Sequence, residues 1–292
     1  MQILKEFDDK VRQIAREGIV ALEEHLDADA AFFYGPIYPS LEKIFCDFVE
    51  ALKADGSGRE RLAIVINSPG GSAETVEKLV DIIRYHYNEV YFIIPDEAMS
   101  AGTIFALSGD KIFMDYTSSL GPIDPQVYNG KEWVPALGYL DQVDKMIRKS
   151  SEGSLTEAEL LILQNLDLAM LSLYEQAKNL TITLLKEWLV KYKFCNWTQH
   201  KSNPEKLGQP VTIEEKRARA EWIAILLSDN KIWHSHGRKI GVNTLQNYLK
   251  LRIEDYSCDT DFRKIIRSYS EFLTDYIHLH GIQSFLHNRN YF

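Results

Sequence analysis

The stretch RLAIVINSPGGS, residues 61–72, runs an apolar segment straight into a glycine-rich loop. Leu62 to Ile66 contain no polar side chain, and three of the five are β-branched. A strand with one face in water alternates polar and apolar residues. An unbroken apolar run instead reads as a strand covered on both faces, as parallel strands in α/β proteins are. A helical pattern follows over 73–86, then a second apolar strand, VYFII, at 90–94. AMSAGTIFALSGD (98–110) carries a short helix over 100–108, and KIFM (111–114) is another strand. Upstream, AAFFYGPI (30–37) reads as a strand ending in a Gly-Pro turn, with Ser40 as N-cap of the next helix. Short strands therefore alternate with helices through the first 125 residues. That pattern predicts an α/β fold with parallel strands.

The rest of the chain is mostly helical. A helix is expected over 4–25, with Leu4, Phe7, Val11, Ile14, Ala15 and Ile19 on one stripe. Capping boxes at Thr156/Glu159 and Thr212/Glu215 open long helical patterns at 157–192 and 213–227. The tail from Asp261 sets Phe262, Ile265, Ile266, Tyr269, Phe272, Leu273, Tyr276 and Ile277 on a wide apolar stripe, which must pack on the body or on another subunit. Residues 196–212 are linker-like.

Composition narrows the function classes. The chain has 292 residues and a net charge of −9, which argues against nucleic acid as partner because phosphate binding needs a basic surface. Cys46, Cys195 and Cys258 are odd in number and unpaired in spacing, so neither a disulfide framework nor a zinc finger is expected. The start is charged and amphipathic without the apolar segment of a secretory signal, and no run approaches the roughly twenty apolar residues of a membrane span. The expectation is a cytoplasmic protein. His234/His236 and His278/His280 lack accompanying carboxylate or cysteine ligands at metal spacing, so no metal and no cofactor are expected.

Two loops leave the carboxyl ends of consecutive buried strands, where chemistry gathers in open parallel sheets. SPGGS holds Gly70 and Gly71, whose backbone N–H groups can turn toward an oxyanion. MSAGT holds Ser100 at a helix N-terminus, where the dipole favours developing negative charge, with Ala101 directly after it. Taken singly, SPGGS is an ordinary turn and Ser100 an ordinary cap. Together, about thirty residues apart, they suit acyl transfer: a nucleophile beside an oxyanion hole.

The order strand, SPGGS, helix, strand, MSAGT, helix, strand, SSLGPIDPQ resembles the Clp-fold serine peptidases, a group that includes ClpP, signal peptide peptidase A and the serine dehydrogenase (SDH) proteinase family. The SDH proteinases are the nearest in pattern, through SAGT followed by LGPIDPQ. The resemblance covers residues 28 to about 130 and returns at HGRKIGVNTLQNYLKLRIED, 236–255. It implies a ClpP/crotonase-like spiral of ββα units with a helical C-terminal extension. It divides the chain into an N-terminal helix (1–27), a core (28–150), a helical part returning to the core (151–260) and a C-terminal helix available for oligomer contact (261–292).

The same resemblance implies Ser100 as nucleophile and Gly70, Gly71 and Ala101 around the oxyanion hole. The base stays open between two choices. Lys145, upstream of the Thr156 helix start, parallels the lysine of signal peptide peptidase A, and the longer flanking pattern leans that way. His236 with Asp124 parallels the Ser–Asp–His set described for the SDH proteinases. The ClpP triad itself does not transfer, because no histidine stands near GPIDPQ. The expected partners are a peptide or protein substrate, further copies of the chain through 261–279 or 157–192, and a separate unfoldase, since the chain has no ATP-binding loop. Two rivals are a catalytically inactive assembly protein and an acyl-CoA enzyme of the crotonase type. The serine in MSAGT speaks against the second, which requires no serine nucleophile.

Overall fold

The computed structural model describes residues 2–128, 133–201 and 204–292; of residues 2–8, 127 and 133–135 the backbone alone is described. Leu4 and Phe7 of the expected helical stripe fall among the latter. The first part of the chain runs α1 (Gln2–Leu26), β1 (Asp29–Tyr34), α2 (Leu41–Ala54), β2 (Arg61–Asn67), α3 (Ala73–His86), β3 (Glu89–Ile94), β4 (Glu97–Ala98), α4 (Ala101–Leu107), β5 (Lys111–Met114) and β6 (Ser119–Leu120). A hairpin of β7 (Gln126–Tyr128) and β8 (Trp133–Pro135) leads into α5 (Ala136–Ser151), α6 (Glu157–Gln164) and α7 (Leu168–Trp188). Then come α8 (Ile213–Ser228), the single turn α9 (Asn230–Trp233), α10 (Val242–Asn247), β9 (Glu254–Asp255), α11 (Thr260–Leu279) and β10 (Phe285–His287).

The main sheet has the order β10-β1-β2-β3-β5-β9, parallel throughout except for β10 at one edge. Side-chain alternation explains why β2 contains no polar residue between its ends. Leu62, Ile64 and Ile66 enter the core under α2, α3, α4, α7 and α8. Ala63 and Val65 enter a second core, under α1 and α11. Every one of these five side chains is fully buried. Burial of an Ile or Val side chain contributes about 1.5–3 kcal/mol, so both faces stabilise the strand.

The α11 stripe closes the second core: Phe262, Ile266, Tyr269, Leu273 and Ile277 are buried there, and α11 packs along α1. Both capping boxes form, at Thr156 and at Thr212. Two local expectations differ. Ser40 is not a side-chain cap; it already has helical dihedrals, and the chain enters α2 through the turn Tyr38–Leu41. The helical run 157–192 is broken at Asp167, which caps α7 with its own carboxylate, and it ends in a π-helical turn at Leu189–Lys193. Among the described residues, no helix is long and apolar enough to cross a membrane.

Candidate active site

A second, narrow ribbon crosses above the carboxyl ends of β2 and β3. It is made of four residue pairings: Ser68 with Ala98, Glu97 with Ser119 and Ala98 with Leu120 where β4 pairs with β6, and Leu120 with Ile240. Every candidate residue except Lys145 lies within four positions of this ribbon. Gly70 and Gly71 follow Ser68, Ser100 follows Ala98, Asp124 follows Leu120, and His236 precedes Ile240. The buried Thr103 fastens the middle of it: its hydroxyl lies 2.7 Å from Ala98 O and 3.0 Å from Gly121 O, and accepts the Gly121 N–H at 2.9 Å.

Ser100 has φ 50° and ψ −117°. Such a conformation is rare for a residue with a Cβ, and it stores strain of about 1–3 kcal/mol that the surroundings must hold in place. The side chain makes no capping bond to α4 and, among the described residues, no other hydrogen bond, one to His236 included. Ser100 thus stands at a cap position without acting as a cap. In structures without substrate, hydrogen bonds of this kind are often unformed.

The glycine loop packs directly against it. A Cβ on Gly70 would come within 2.8 Å of Ser100 Cβ and 3.2 Å of Ala101 N. A Cβ on Gly71 would overlap the Ile37 carbonyl, because that backbone forms an isolated bridge with Ile37. The two glycines differ in what they can offer. The Gly70 N–H is donated to Ser68 Oγ at 3.1 Å. The N–H groups of Gly71 and Ala101 have no acceptor among the described residues.

Asp124 and His236 are 112 positions apart and meet through Oδ1 and Nδ1 at 2.8 Å. Asp124 is buried, with a side chain 1% exposed, whereas His236 is 29% exposed. The carboxylate accepts a second hydrogen bond at Oδ2, from Gln126 Nε2 at 2.8 Å. A buried carboxylate on Nδ1 makes that nitrogen the protonated one and leaves Nε2 as the basic atom. The loop bearing His236 is anchored by the Leu120–Ile240 bridge, with N···O distances of 3.0 and 2.8 Å, and by the Lys239–Glu97 ion pair at 2.8 Å.

Ser100, Gly71, Ala101, Gln126 and His236 line one cleft of about 490 Å³. Ile104, Ile123 and Leu180 give it an apolar wall, and Ala177 and Thr181 of α7 extend that wall. Lys145 lies on α5 with its side chain exposed, and it does not line the cleft. Gln126 and the α7 wall were not picked out from sequence. Gln126 lies two positions from Asp124, a spacing that local hydrogen bonding can use, but nothing in the run of α7 marks Ala177 as facing Ser100. Among the described residues, no group of three or more His, Cys, Asp or Glu is arranged to hold a metal ion.

Two uncharacterized proteins of Methanocaldococcus jannaschii are 30% identical over 128 residues and 33% identical over 122 residues. These alignments cover 44% and 40% of this chain, and 43% and 41% of those proteins, so the chain spans less than half the length of the curated relatives it matches. An ATP-dependent Clp protease proteolytic subunit 3 of Rhizobium johnstonii is 32% identical over 80 residues, 27% of this chain and 40% of that protein. Among solved structures, a membrane-bound stomatin-specific protease, 1510-N, aligns over 81% of this chain and 82% of its own, with a TM-score of 0.46 and 14% identity. A family model described as ClpP-like SDH-type serine proteinase matches residues 3–218. The chain belongs to the ClpP-like SDH-type serine proteinase family.

Proposed function

We propose that this protein is a serine peptidase that cleaves peptide bonds through an acyl-enzyme on Ser100. His236 Nε2 takes the Ser100 proton as Oγ attacks the scissile carbonyl carbon. The C=O π pair moves onto oxygen, and the Gly71 and Ala101 N–H groups donate to the resulting oxyanion. His236 then returns the proton to the leaving amine as the C–N bond breaks, and water repeats the sequence to release the acid. Asp124 holds the tautomer and stabilises the imidazolium. The observation that carries this reading is the buried Asp124 bonded to His236, with His236 and Ser100 on one cleft. The exposure of Lys145, away from that cleft, favours His236 over it as the base. Gly70 leaves the oxyanion hole in this reading because its N–H is already donated to Ser68.

The test is the rate of labelling by a fluorophosphonate. Ser100→Ala should not label. His236→Ala should label about 10²–10⁴-fold more slowly, the usual contribution of a general base. Lys145→Ala should label as the wild type does. Normal labelling of His236→Ala together with failure of Lys145→Ala would reverse the assignment of the base.

The homo-oligomer reading is supported at one of its two expected surfaces. The α11 stripe is buried on the sheet. By contrast Leu160, Leu161 and Ile162 of α6 and Leu168 and Leu173 of α7 are 45–77% exposed, an apolar patch of the kind that marks an interface. Light scattering should give an assembly that Leu161→Glu weakens; a monomer at micromolar concentration would refute it.

A further inference from the structure

The geometry points to Gln126 as a positioning residue for the Asp124–His236 pair, an inference that rests on the reading of His236 as base. Asp124 is almost wholly removed from solvent, and among the described residues its carboxylate has two side-chain donors, His236 Nδ1 at 2.8 Å and Gln126 Nε2 at 2.8 Å. Each donor occupies a different oxygen. A carboxylate held at Oδ2 cannot rotate Oδ1 away from the imidazole without losing the Gln126 bond. The amide is itself held: Gln126 begins β7, pairs with Pro135 across the hairpin, and adjoins the Pro125 carbonyl that accepts the Ala136 N–H at 2.9 Å. Gln126 also lines the cleft, so it is a half-buried side chain placed between the substrate space and the buried anion.

The Gln126 donor has a second effect. A hydrogen bond to the ionised carboxylate spreads its charge and lowers its pull on the imidazole proton. Without that donor, the pair gains more from protonating His236, which neutralises a poorly solvated anion. The acid limb of the reaction should then move to higher pH. Gln126→Glu replaces the donor by a like charge beside Asp124 and moves the limb the same way.

The experiment measures the second-order rate of fluorophosphonate labelling of Ser100 between pH 5 and 9 in the full chain, for wild type, Gln126→Glu and Gln126→Met, with melting temperatures alongside. The expected result is an acid limb displaced upward by about one pH unit in both variants, and a plateau rate lowered about 10-fold, in molecules that melt like the wild type. An acid limb that stays at the wild-type pH in the folded variants overturns the proposal. So does loss of folding in both, which would make the amide a strut of the hairpin. A His236→Ala chain that labels as the wild type does would instead overturn the underlying assignment of the base, and the two failures are thereby told apart.

Discussion

Replacing Ser100 by glycine removes the proposed nucleophile and should nevertheless stabilise the protein. At φ 50° and ψ −117° the serine Cβ is held in a region that L residues avoid, and its hydroxyl makes no capping bond that would offset this. The strain is about 1–3 kcal/mol. Glycine relieves it and returns about 0.5–1 kcal/mol as extra freedom of the unfolded chain. The net gain is about 0–2.5 kcal/mol, which in a chain of this size raises the melting temperature by up to about 4 °C. Ser100→Ala keeps the Cβ and the strain, so it should melt within about a degree of the wild type. An ordinary N-cap serine behaves in the opposite manner: alanine costs about 1 kcal/mol and glycine a few tenths. The assay is thermal unfolding by circular dichroism for the three proteins, with fluorophosphonate labelling to show that both variants have lost the nucleophile. A Ser100→Gly melting point below wild type, or a Ser100→Ala loss of cap size, would refute the reasoning.

Gly71→Ala should abolish labelling, because its Cβ would collide with the Ile37 carbonyl and displace the Gly71 N–H; unchanged labelling would show that Gly71 is no oxyanion donor. Thr103→Val should lower unfolding stability by about 1–3 kcal/mol in urea titration, since the buried Gly121 N–H loses its acceptor. Burial pushes His287 down to about 4, from an ordinary value of 6.5. The unfolded chain therefore binds a proton below about pH 6.5 that the folded one refuses until about pH 4, and stability should fall by about 3 kcal/mol as pH drops through that window, then level off. His287→Gln should flatten that slope by one proton; a slope identical to the wild type would contradict it.

The strands were legible because burial on two faces leaves a signature in composition alone: Leu62–Ile66 contains nothing polar, and Val90–Ile94 only the Tyr91 hydroxyl. The capping boxes at Thr156 and Thr212 were legible because both partners lie within four residues. Ser40 misled because a serine before a helix serves equally as a turn residue, and the difference is one dihedral pair. Gly70 and Gly71 look alike in sequence, yet one N–H is taken by Ser68 and the other has no acceptor among the described residues, a distinction set by loop geometry. The choice between Lys145 and His236 was least legible. Spacing along the chain favoured the lysine, but α5 carries it into solvent, while the approach of His236 to Asp124 depends on everything folded between them.

The ribbon of four short crossings separates two inheritances. Every group proposed to touch the reacting atoms hangs within four residues of a crossing, while the 112-residue excursion from Asp124 to His236 touches the cleft through the α7 wall of Ala177, Leu180 and Thr181. Closing a loop half or twice as long changes the entropy cost by only about 0.6 kcal/mol. Loop closure therefore sets little limit on its length; the limits come from the side chains of α7 and α8 that fill the core, such as Leu185 and Leu227, and from Gln126, which holds Asp124. Changes confined to the cleft-facing side chains of α7, Ala177, Leu180 and Thr181, can thus alter what the scaffold grips while leaving the residues at the crossings in place.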